Sequence, residues 1–186
     1  MAGGSAGPKG GASLRRRLSQ CPSGNAVWRE FEDAALAVLC HLFVPPLMAP
    51  IVQARTLSGL DRRDAIFSNR ITDTRDTWGL LRHDHDARLI PVEFKNYYKR
   101  GIGKDELDQT RNYLKRSMGR LAIVCCNKPP DQSAYLRRNG VYSEEGKVIL
   151  FLTSANLIEM LDMKERGSDP SAFILDYVDL FLVQHE

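Results

Sequence analysis

Glu93 and Lys95, in the run Pro91-Val92-Glu93-Phe94-Lys95-Asn96, are the residues whose types and spacing suggest chemistry. Along a strand, side chains alternate, so Glu93 and Lys95 share one face about 6–7 Å apart while Val92 and Phe94 turn to the other. An acid and a base then sit side by side on a strand anchored by apolar residues. Phosphodiester hydrolysis uses such a pair. The carboxylate binds a hard cation such as magnesium through oxygen. The cation polarises the phosphoryl oxygen and lowers the pKa of a bound water. The lysine holds the attacking water or stabilises charge building on the phosphate. Because magnesium takes one or two protein carboxylates, a second acid is expected on a neighbouring strand. Asp64 opens the apolar segment Asp64-Ala65-Ile66-Phe67-Ser68 and meets Glu93 if 64–68 pairs with 89–95 as a hairpin; Asp61 is the near alternative.

The rest of the chain must position these groups. Residues 1–25 carry arginine, serine, alanine and many glycines but no acid, and read as a disordered Gly/Arg-rich tail. Residues 26–186 read as one domain. Asn25 is a plausible N-cap for a helix with Val27, Phe31, Ala34, Leu36, Val38, Leu39 and Leu42 along it, much of that set at helical spacing, stopped by Pro45-Pro46. Residues 51–56 read as a strand or a connection, with a break at Gly59. Segments 64–68 and 87–95 read as strands joined by a polar, turn-rich stretch; Pro91 suggests an edge position or a bulge. A helix is expected over 103–117, a buried strand over 120–126, a short helix over 131–139 and another buried strand over 147–152. Thr153 or Ser154 caps a helix to about Glu165, and a last helix runs from about Pro170 to Val183. The order predicts an α/β fold, a mixed sheet with helices packed against it.

The pattern resembles the PD-(D/E)XK, or restriction-endonuclease-like, nuclease superfamily, and within it the Mrr-like restriction endonucleases. The resemblance spans roughly residues 27–165. It rests on an acid-bearing first helix (Phe31-Glu32), an isolated Asp entering a strand (Asp64) and Glu-x-Lys in the next strand (Glu93-Phe94-Lys95). Asp64 follows Arg63 rather than the proline of the superfamily's name. The resemblance implies a mixed four-stranded sheet flanked by helices in αβββαβ order. It also implies catalytic Asp64, Glu93 and Lys95, assisted by Glu32 and by Gln109, since the helix after the Glu-x-Lys strand often carries a glutamine there. Tyr113 lies one turn beyond Gln109 on the same face. The implied activity is a magnesium-dependent DNA endonuclease of restriction or defence type, with Asp64 and Glu93 as metal ligands and manganese able to substitute. Double-stranded DNA is the expected substrate and a homodimer the expected assembly, since cutting both strands takes two sites. The alternatives are a catalytically silent nuclease-fold module that binds nucleic acid or a partner protein, and a nuclease aimed at RNA or structured DNA.

Composition bounds these readings. The net charge of +3 permits a nucleic-acid partner without demanding one. Asn96, Tyr97, Tyr98, Lys99, Arg100 and Lys104 form a basic, aromatic stretch suited to a phosphate backbone with unstacked bases. No apolar stretch nears the roughly 20 residues of a membrane span, and a cytoplasmic location is expected. Cys21, Cys40, Cys125 and Cys126 form no C-x-x-C pair, which excludes a zinc ribbon; Cys125 and Cys126 should be buried on opposite faces of a strand. His83-Asp84-His85-Asp86 reads as a polar hairpin turn, for two histidines without a third ligand make a poor zinc site. Ser58, Ser68 and Ser117 have no His and acid at usable spacing for a serine hydrolase.

Overall fold

The computed structural model describes residues 9–55 and 62–185. Asp61, Ser58, Gly59 and the first eight residues of the expected tail lie outside these. In chain order the elements are α1 (Lys9–Ser19), a 3-10 turn (Asn25–Val27), α2 (Trp28–Phe43), β1 (Ile51–Arg55), β2 (Arg62–Ser68), α3 (Thr77–His85) and β3 (Leu89–Lys95). Then follow α4 (Lys104–Tyr113), β4 (Leu121–Cys126), α5 (Gln132–Glu145), β5 (Val148–Thr153), α6 (Ser154–Glu165) and α7 (Ser171–Gln184).

The fold is α/β. A mixed sheet of five strands, not four, runs in the order β1-β2-β3-β4-β5. β1, β2 and β3 form an antiparallel meander, and β3, β4 and β5 are parallel. Alternation along the strands divides the core into two layers. Phe67, Val92, Phe94, Ile123, Cys125 and Leu150 face one side, against α2, α6 and α7; Val124, Cys126, Ile149 and Phe151 face the other, against α4 and α5. Cys125 and Cys126 thus bury in opposite layers, as adjacent strand residues must. β4 is buried at every position, which its unbroken apolar run required.

Four local expectations are corrected. Residues 9–19 form α1 instead of a disordered segment: Leu14 and Leu18 lie four apart and reach the core, and Arg15 pairs with Asp162 of α6. The helix expected from Asn25 begins at Trp28, after the 3-10 turn, with no side-chain cap at Val27. The polar stretch between β2 and β3 contains α3, capped by Asp76 accepting from the Trp78 N–H at 2.8 Å. His83 and His85 therefore close a helix rather than a hairpin, and Trp78 and Leu81 are its buried anchors. Finally, Pro91 sits in a central strand. Its missing N–H is tolerated because Pro91 pairs with Ile66 while the ladder to β4 begins only at Val92.

Among the described residues, no helix is long and apolar enough to cross a membrane.

Candidate active site

At the carboxyl end of β3 the sheet opens into a cleft of about 420 Å³, bordered by Trp28, Asp64, Glu93, Lys95, Tyr97 and Gln109. Open α/β sheets place their ligand crevices outside the carboxyl ends of strands. Glu93 and Lys95 point to the layer occupied by α4, while Val92 and Phe94 anchor β3 in the opposite core. Extending the register Ala65↔Val92 by one residue sets Asp64 across from Glu93. Asp64 takes the place of a backbone partner there: its Oδ2 accepts the Phe94 N–H at 3.0 Å.

Glu93 is 2 % exposed. Its Oε2 lies 3.4 Å from the Lys95 ammonium, and its buried Oε1 has no hydrogen-bond partner. Burial, and then the charge of Asp64, push its carboxyl from 4.5 up to about 7, against the pull of Lys95. Two carboxylates converge and one buried oxygen is unsatisfied, at a cost of about 1–3 kcal/mol when nothing fills the gap. The two carboxylates offer hard oxygens; among the described residues no cysteine or histidine borders the cleft, and such a set suits a hard divalent cation. Among the described residues no group of three or more His, Cys, Asp or Glu side chains converges as a ready metal cage.

Lys95 is oriented from the other side. Its Nζ donates to Gln109 Oε1 at 3.0 Å, and Gln109 Nε2 donates to the Tyr113 hydroxyl at 2.8 Å. The Arg63 guanidinium lies over the Tyr113 ring, 5.3 Å from its centroid. The one-turn spacing of Gln109 and Tyr113 on α4 builds this relay.

The other expected residues are placed as follows. Glu32 is buried on α2, one turn after Trp28, and does not border the cleft. Asn96 is buried. Its Nδ2 donates to the carbonyls of Pro22, Gly24 and Val27, at 2.9, 3.3 and 3.4 Å. It clamps the segment before α2 and also lines the cleft. Tyr97 borders the cleft, but its hydroxyl donates to Glu106 at 2.7 Å. Lys99, Arg100 and Lys104 are exposed near the start of α4; Arg100 leans on Glu106 at 3.4 Å and over the Tyr97 ring. Trp28 and Arg63 were not singled out by the sequence. Trp28 reads as one more apolar helix residue, and only the position of α2 against the end of β3 brings it to the cleft.

Comparison with family models, with curated proteins and with solved structures gives no match for this chain.

Proposed function

We propose that the protein is a metal-dependent nuclease of the PD-(D/E)XK type, acting on DNA. The observation that carries this reading is the pairing of Asp64 with Glu93, whose buried Oε1 is left without a partner, beside Lys95. The strand order supports it: α2, β1, β2, β3, α4 and β4 follow the superfamily's αβββαβ order, with α3 inserted before β3 and β5 extending the sheet.

In this reading Asp64 and Glu93 hold a magnesium ion, or manganese in its place. When bound, the ion supplies Lewis-acid polarisation of the phosphoryl group and a water of lowered pKa. Glu93 must shed its proton to serve as a ligand, so its elevated pKa ties occupancy to pH. The Lys95 ammonium faces the cleft and stabilises the negative charge that accumulates on phosphate oxygens. Gln109 restricts Lys95 to that direction by accepting from its Nζ, and Tyr113 fixes Gln109. Arg100, Lys99 and Lys104, exposed near the start of α4, would meet the phosphate backbone.

The test is cleavage of plasmid and of single-stranded DNA by purified protein with magnesium, manganese or EDTA, alongside Glu93→Ala. Cutting that needs the metal and vanishes in the variant is the expected result. Metal-independent binding with no cutting, from folded protein, overturns the enzyme reading in favour of a silent nuclease-fold module.

A further inference from the structure

The chain has two tryptophans, and they are treated very differently. Trp78 is 1 % exposed and packs edge-to-face on Phe43, ring centroids 5.0 Å apart. Trp28 is 36 % exposed and borders the same cleft as Asp64, Glu93 and Lys95. An isolated surface aromatic needs no explanation; one at the mouth of an acidic cleft, on a fixed support, does. The support is the Asn96 amide, which holds the carbonyls of Pro22, Gly24 and Val27 directly ahead of Trp28. A second aromatic, Tyr97, borders the cleft and is fixed by Glu106 through its hydroxyl. Aromatic side chains held in place beforehand lose little conformational freedom when they stack on a ligand.

We propose that Trp28 is the stacking platform for an unpaired base, so that this cleft takes single-stranded or frayed nucleic acid in preference to an intact duplex. The inference rests on the nuclease reading of the same cleft and names its substrate class. In a duplex each base face is covered by its neighbours, and a protein reaches only base edges and the backbone. A free base offers its whole face, and stacking on an aromatic side chain is indifferent to base identity. The cleft volume of about 420 Å³ is room for one nucleotide-sized group. The Arg29 guanidinium already lies over the Trp28 ring, 5.1 Å from its centroid, a cation beside the stacking position, and Arg100 and Lys104 are exposed.

Tryptophan emission reads the proposal directly, because the only other indole is buried. In magnesium buffer on the Glu93→Gln background, which removes cutting in the nuclease reading, the protein is titrated with an oligothymidylate of about 10 nucleotides and with a blunt duplex of equal length. The expected result is saturable quenching by the single strand and weaker binding of the duplex. Trp28→Ala should weaken single-strand binding by about 5- to 100-fold. Trp28→Phe should keep the affinity within a few-fold, read by anisotropy of a labelled oligonucleotide, while abolishing the quenching. Equal affinity for both ligands overturns the proposal. So does unchanged single-strand affinity in a Trp28→Ala protein that melts like its parent. If Trp28→Ala fails to fold, quenching that survives in Trp28→Phe overturns it. With Glu93 restored, blunt-duplex cutting that exceeds single-strand cutting and is untouched by Trp28→Ala sinks this inference and leaves the nuclease reading intact. Intact quenching without metal-dependent cutting in any substrate sinks the nuclease reading and leaves the stacking surface standing.

Discussion

Two buried glutamates, Glu93 lining the cleft and Glu106 one helical turn before Gln109 on α4, are treated in opposite ways. Glu106, in the first turn of α4, accepts from the Tyr97 hydroxyl at 2.7 Å and the Gly103 N–H at 2.8 Å, with Arg100 at 3.4 Å. Burial raises its pKa, but these partners outweigh burial and bring it below the ordinary value. Glu93 is buried still more deeply, with a second acid facing it and one oxygen unpartnered, and it is held up at about 7. The first carboxylate is satisfied by the fold and serves as a joint between β3 and α4. The second is left unsatisfied by the fold, which is the arrangement expected where a ligand completes the site.

The contrast can be broken most severely at Glu93. Glu93→Gln or Lys95→Ala should lower cleavage by at least about 100-fold, measured as initial rates on a plasmid in magnesium. In EDTA at neutral pH the same Glu93→Gln change should stabilise the protein, by up to roughly 3 kcal/mol in urea unfolding. An unchanged or lower stability would mean that Glu93 is not strained in the cation-free protein. The pH dependence follows with a definite sign. The unfolded chain releases the Glu93 proton near 4.5 and the folded chain near 7. Between those values the folded chain binds more protons, so this group's contribution lowers stability as pH rises through the window and leaves it lowered above. Subtracting the Glu93→Gln curve from the parental one, both in EDTA, isolates that contribution.

Glu106→Gln should act the other way. It should cost about 1–3 kcal/mol of stability, while the folded variant still cuts. Its stabilisation is present above the ordinary carboxyl pKa and is lost as pH falls through the depressed one. Cutting that disappears in a Glu106→Gln protein of parental stability would place Glu106 in the active site and erase the distinction. The smallest expected effect is that of Gln109→Ala, about 10-fold in rate with stability nearly unchanged, because it frees Lys95 without removing its charge.

Much of this arrangement is legible in the sequence, and the unread parts share a cause. β3, β4 and β5 are marked by apolar runs whose ends are set by charge or turn residues, and α6 by the cap pair Thr153 or Ser154, of which the structure uses Thr153. The face shared by Glu93 and Lys95 follows from strand alternation alone. What escapes is whatever depends on a distant partner. α1 looks like a tail because Leu14, Arg15 and Leu18 acquire meaning only against α2 and α6. α3 hides in a polar segment because Trp78 and Leu81 are the only large residues among the three on its buried side. Asn96 resembles part of an exposed basic stretch until its amide is seen to hold carbonyls more than 65 residues earlier. Trp28 has no local signal at all, for nothing in its neighbours says that α2 starts beside the end of β3.

That long-range clamp also imposes an order on assembly. A ribosome delivers the N-terminal end of a chain first, so Trp28 and the segment before it emerge long before Asn96 exists to hold them. Asp64 emerges before Glu93, and Gln109 is made last of the groups around the cleft. No nascent chain shorter than about α4 can therefore present both acids, the lysine with its orienting amide, and the fixed indole together.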